Sequence, residues 1–191
     1  MMKALCAASV IVIALLISVP AGAEEETGPP DFRQARWGMS PDEVKKTETE
    51  ARQSGEMPEL LLYEGDIAGV RASIFYLFDQ GKLARGICTV EPPGQDAVMD
   101  DYEGIRAYLL KEYGEPAEEE LNLKEEAVGD LDPADPGDRY QLVLRKAMGP
   151  LTVWTSGRTR IYLQLTEKDS RVAIHIGYFP LTRFMTTSGE F

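Results

Sequence analysis

Asp130, Asp132, Asp135 and Asp138 stand in an Asp-x-Asp-x-x-Asp run with Gly137 near its end. Hard cations take clustered carboxylate oxygens, so these four aspartates are candidate metal ligands, and their segment is a candidate calcium- or small-ligand-binding element. The spacing departs from an EF-hand loop: Ala134 is fifth, Asp135 occupies the sixth place where the glycine belongs, and Pro133 and Pro136 stiffen the run. A solvated acidic loop is the other reading of the same residues. His175 is the only histidine. One imidazole cannot build a multi-histidine zinc site, and as a general base it needs a nucleophile, for which Cys88 is the candidate. Cys88 lies in an apolar, alternating stretch where an inert buried thiol is expected. A glycosidase-type carboxylate pair needs a walled cleft, whereas the carboxylates here crowd a segment that reads as a loop. The chain has no phosphate-cradling glycine loop and no Gly-x-Ser-x-Gly elbow. The expectation is a noncatalytic protein without a cofactor.

Charge narrows the partners. Glu115 to Asp138 holds ten carboxylates against one base, Lys124, and so supplies −9 of the chain's net −12. Pro133, Pro136 and Gly137 suit a loop, so 115–138 is expected to be an acidic loop. Nucleic acid and anionic membrane surfaces repel such a protein, and neither is an expected partner.

Met1-Met2-Lys3, the apolar run Ala4 to Val19 and the Ala21-Gly22-Ala23 site have the three-part layout of a cleavable signal peptide over 1–23. The apolar run falls short of the roughly 17 to 25 residues that span a bilayer. Cleavage after Ala23 implies a periplasmic or secreted protein with no membrane insertion afterwards. It also removes Cys6, leaving Cys88 without an intrachain disulfide partner.

The remaining residues must position any site. Residues 24–31, with Gly28-Pro29-Pro30, read as a disordered leader. The single domain is expected over 32–184, with a flexible tail over 185–191. Ser40 and Glu43 form a capping box with Pro41 at the first helical position, predicting a helix from Pro41 to about Arg52. Leu60 to Tyr63, Val70 to Phe78 and Leu83 to Val90 predict an antiparallel meander. Asp96 is the expected cap of a second helix carrying Val98, Tyr102, Ile105, Leu109, Leu110 and Tyr113, ended by Gly114 and Pro116. Tyr140 to Ala147 satisfies both periods and is taken as a helix. Leu151 to Trp154, Thr159 to Thr166 and Arg171 to Phe179 predict three more strands. The resulting fold class is α+β, an antiparallel β-sheet layered with helices in two αβββ halves. Phe75 and Leu77, opposite Ile74 and Tyr76, make one strand apolar on both faces, so the face away from the helices is a candidate binding surface.

Gly38-Met39-Ser40-Pro41-Asp42-Glu43-Val44 resembles the helix-opening motif of the small periplasmic BamE/SmpA-OmlA family and of the similar beta-lactamase inhibitor protein fold. Tyr113-Gly114-Glu115-Pro116 resembles that family's helix ending, although here a meander separates the two motifs. The resemblance implies an extracytoplasmic helix-on-sheet module that binds other proteins, with a possible protein partner in the cell envelope. It carries over no catalytic residue.

Overall fold

A computed structural model describes residues 28–146, 148–168 and 170–181 of the 191-residue chain. The expected signal peptide, residues 24–27 of the leader and the tail lie outside the described residues. Eight strands form one antiparallel sheet: β1 (Arg52–Met57), β2 (Leu60–Ile67), β3 (Val70–Asp79), β4 (Lys82–Val90), β5 (Glu118–Glu120), β6 (Leu151–Ser156), β7 (Thr159–Lys168) and β8 (Arg171–Pro180). Their order is β1-β2-β3-β4-β8-β7-β6-β5, so the last strand in sequence lies in the middle of the sheet, against β4.

Alternation along each strand sorts the side chains onto two faces. Register carries Tyr76, Gly86, Tyr178, Ile161 and Trp154 across one face in a single row, with Ile74, Cys88, Ile176, Leu163 and Thr152 in the next. All ten are buried. A shift in register between Leu77 and Phe78 lets Phe78 pair with Leu83 while Leu77 pairs with Arg85. This bulge puts both Phe78 and Leu83 in the core and leaves Arg85 exposed.

The helices cover this same face. On α2 (Gln95–Tyr113), Val98, Tyr102, Ile105 and Leu109 are buried at helical spacing, and Leu142 and Val143 are buried on α4 (Pro136–Leu144). The Trp154 indole N–H donates to the carbonyl of Gly114 at 3.0 Å, pinning the end of α2 to β6. Phe32 enters from the N-terminal segment and lies on Gly86, where a Cβ would come within 2.2 Å of its ring. Its ring centroid is 4.9 Å from those of both Tyr76 and Tyr178.

The capping box of α1 (Pro41–Thr47) is present: the Ser40 N–H donates to the Glu43 carboxylate at 2.7 Å, and the Glu43 N–H to the Ser40 hydroxyl at 3.4 Å. At Gly38, φ 87°, the chain turns so that the Gly38 N–H donates to the Leu83 carbonyl at 2.9 Å while the Leu83 N–H donates to the Met39 carbonyl at 2.7 Å. Asp31 is part of the fold rather than of a loose leader. Its nearly buried carboxylate takes Arg158 Nη2 at 2.7 Å, the Trp37 N–H at 2.9 Å and Arg158 Nε at 2.9 Å.

Several expectations need correction. α1 stops at Thr47 rather than near Arg52, and the residues that follow form β1. The reason is tertiary: Glu48 turns out of the helix, buries its carboxylate, and uses it to accept the backbone N–H groups of Glu50 and Ala51. α2 begins one residue before Asp96, from Gly94, which makes no side-chain cap. The 115–138 segment is not one acidic loop. It contains β5, the short helix α3 (Glu125–Val128) and the first turn of α4.

The fold class changes accordingly. A layered α+β arrangement of two αβββ halves is overturned by one continuous eight-stranded sheet that dominates the structure. The physical cause is the extra edge strands: β1 comes from residues at and just beyond the expected end of the first helix, and β5 from residues read as loop, and both gain hydrogen bonds by pairing with the neighbouring strand.

Candidate functional site on the open sheet face

The face of the sheet opposite the helices carries a second set of side chains. One row runs Leu62, Phe75, Ile87, Gly177, Tyr162 and Val153; the flanking row includes Leu60, Leu77 and Arg85, with Phe179 and Arg160 paired beside them. Most of these residues are half-buried, in contrast to the fully buried core row behind them. The Phe32 hook, α1, α2 and α4 all contribute to the core on the other side. Gly177 is essential to the shape. A Cβ there would lie 2.1 Å from Tyr162 Cε1, so the missing side chain is what lets the Tyr162 ring lie flat on β8. Tyr162 then stacks with Phe179, centroids 5.4 Å apart and rings inclined by 22°. Burial raises the Tyr162 phenol pKa, and the Arg85 guanidinium opposes that rise. Arg160 is held by Glu118 at 2.9 Å.

His175 lies on this open face with Thr89, whose hydroxyl is 3.1 Å from Nδ1. Cys88 points the other way, fully buried among Ile74 and Ile176. The two are therefore on opposite sides of the sheet, and the structure does not assemble a Cys-His dyad. Burial pushes the Cys88 thiol up to about 12. Cys88 is expected to stay unmodified by a thiol reagent such as DTNB in the native protein and to react fully once unfolded; prompt labelling of the native form at pH 8 is the contrary result.

Asp132, Asp135 and Asp138 occupy turn and cap positions. Asp135 caps α4, its Oδ1 accepting from the N–H groups of Gly137 at 2.9 Å and Asp138 at 3.0 Å. Asp132 accepts from the Ala134 N–H at 2.9 Å, and Asp138 accepts from the Asp132 N–H at 3.0 Å. Asp130 precedes this turn. Among the described residues, no three His, Cys, Asp or Glu side chains converge to hold a metal ion.

No family model, curated protein or solved structure matches the chain. Among the described residues no helix is long and apolar enough to cross a membrane.

Two features escaped sequence reasoning. The first is a cleft of about 430 Å³ on the helix side, at the β5–β6 edge, lined by residues of α2, α4, β5 and β6. The second is a buried network. Glu48 Oε2 accepts from Arg33 Nε at 2.7 Å and from the Tyr76 hydroxyl, while Oε1 takes the Glu50 and Ala51 N–H groups. Burial lowers the Arg33 pKa but the Glu48 carboxylate outweighs it, leaving the guanidinium pKa above its ordinary value. These partners are 15 and 28 residues from Glu48, so no local pattern announces them. The open face, by contrast, was signalled by the two-sided apolar character of β3.

Proposed function

We propose that this chain is a noncatalytic extracytoplasmic protein that binds another protein through the open face of its sheet. One observation carries the reading: Leu62, Phe75, Ile87 and Tyr162 are brought side by side on a face with no described element packed over it. Aromatic residues and arginine are the enriched anchors of protein interfaces, and a sheet presents them on a rigid support. Arg85, exposed beside this apolar row, suits a partner segment that combines apolar side chains with a carboxylate. The signal-peptide layout and the resemblance of Gly38 to Val44 to the envelope family support the compartment.

Site-specific photocrosslinking tests this. A photoreactive residue at position 87 is expected to give one discrete adduct with an envelope protein, and the same group at Tyr108, which is exposed on α2, is expected to give none. Arg85→Glu is exposed enough to leave the thermal midpoint unchanged, and is expected to reduce the adduct several-fold. No adduct at position 87, or the same adduct from position 108, overturns the reading.

A further inference from the structure

The cleft at the β5–β6 edge lies on the opposite side of the sheet from the open face and is independent of it. Its floor carries the hydroxyl groups of Tyr102 and Thr152, on side chains that are almost fully buried. Burial raises the Tyr102 phenol pKa, and the bond to Thr152 opposes that rise. Four charged side chains form one wall. Arg139 on α4 donates through Nη1 to Glu103 of α2 at 2.8 Å, and Arg106, one turn further along α2, is bonded through Nη2 to Glu119 of β5. The pairing of Glu119 with Thr152 puts that carboxylate on the helix side of the sheet. The Arg106 pKa is raised by the bond to Glu119, against burial, and Glu103 adds to the rise. The order is therefore Arg139, Glu103, Arg106, Glu119, a row of alternating charge that sums to zero.

These bonds hold the row in place and leave part of each group over. Arg106 Nε and Nη1, Arg139 Nη2 and one oxygen each of Glu103 and Glu119 have no partner among the described residues. Donors and acceptors thus alternate along a cleft of about 430 Å³, within the range of small-molecule sites, about 300–1,000 Å³. Every charge in the row is already paired, so an ionic ligand must displace a neighbour: an anion on Arg106 lies between two carboxylates, and a cation on Glu103 lies between two guanidiniums. An uncharged ligand leaves both pairs intact. Hydroxyl groups suit the row because one oxygen both donates and accepts, so each can bridge a guanidinium and a carboxylate, whereas an amide splits donor and acceptor between two atoms. Hydrogen bonds to ionised partners are also stronger than those between neutral groups. Leu121, exposed at 48%, and Pro150 supply apolar surface for C–H groups. We propose that the cleft binds a neutral saccharide of one or two rings, its hydroxyls bridging the row from Arg139 to Glu119.

Calorimetric titration with glucose, galactose, maltose and cellobiose tests the assignment, with glucuronate and glucosamine as the anionic and cationic probes. One-site saturable binding is expected for at least one neutral sugar, with Kd below about 10 mM. Because the ligand is uncharged, that Kd is expected to stay within about twofold between roughly 0.05 and 0.5 M NaCl. Glu119→Gln, at a half-exposed side chain, and Arg139→Gln each break one pair and are expected to weaken sugar binding about fivefold. Should either variant fail to fold, the other and the sugar panel decide. No saturation by any neutral sugar up to about 50 mM, tighter binding of glucuronate or glucosamine than of every neutral sugar, or undiminished sugar binding by a folded Glu119→Gln or Arg139→Gln overturns the assignment.

Discussion

Replacing Glu48 by alanine is expected to destabilise the fold by about 3–5 kcal/mol, the cost of stranding a buried charge by removing its partner. The side chain is fully buried, and it answers Arg33, the Tyr76 hydroxyl and two backbone N–H groups at once. Without it the guanidinium of Arg33 keeps only the Asp66 carbonyl, at 3.2 Å, and the outer carboxylate of Glu50, at 3.7 Å. The turn from α1 into β1 loses its organising acceptor in the same step. Urea unfolding of the wild type and the variant measures the difference, and a loss under about 1 kcal/mol, the value of an ordinary hydrogen bond, contradicts the network's importance.

The same group makes a pH prediction. Burial alone raises the Glu48 carboxyl, but the Arg33 guanidinium and the Tyr76 hydroxyl outweigh it, so its folded-state pKa lies below the ordinary 4.5. A carboxyl with a depressed folded pKa contributes stability that is present in full above its unfolded value and lost as pH falls through the folded one. The stability gap between wild type and Glu48→Gln is therefore expected to be largest at neutral pH and to narrow below about pH 4.5, where the wild type takes up the proton. A gap that stays constant from pH 7 to pH 3 shows that the carboxylate charge does not supply the effect.

Gly86→Ala is expected to cost about 3 kcal/mol, at the upper end of overpacking effects. The added methyl falls within 2.2–2.5 Å of three atoms of the Phe32 ring, and that ring has no room to retreat, being only 1% exposed and set against Tyr76 and Tyr178. Phe32→Ala is expected to cost a similar amount or more, about 3–5 kcal/mol, through the cavity it leaves. Combining the two distinguishes steric conflict from a general weakening of β4. The methyl introduced by Gly86→Ala partly fills the space vacated by Phe32, so the double variant is expected to be more stable than the sum of the single losses predicts. Strict additivity in a double-mutant cycle rules out the conflict between the ring and a side chain on β4.

Local chemistry was legible where one residue acts on its neighbours. Ser40, Pro41 and Glu43 specify the start of α1 through contacts within a single turn, and Gly114, at φ 79°, specifies the end of α2. The six predicted strands appear because alternation at period two is written into the residues themselves. The two edge strands were not legible. Glu118 to Glu120 has no strand character in its composition, and it becomes β5 because β6 offers it a ladder of partners. Arg52 to Met57 is polar almost throughout and joins the sheet only against β2. Edge strands bury little, so their side chains need not alternate, and sequence periodicity is blind to them.

The candidate sites divide along the same line. Two-sided apolar character in β3 pointed to an open face, since a strand that buries Ile74 and Tyr76 on one side still presents Phe75 and Leu77 on the other. The cleft could not be read, because Arg106, Glu119, Arg139 and Thr152 are drawn from four elements and meet only through packing. By itself the sequence determined the start of α1, the end of α2, the central strands and the local excess of negative charge, all set by residues a few positions apart. Only the tertiary structure decided the strand order that places β8 beside β4, the opposite facing of Cys88 and His175, the turn-and-cap roles of three of the four aspartates, and the burial of Glu48 with Arg33. Each depends on which distant segments come together, and that follows from burying one continuous apolar face, a property no short window of sequence contains.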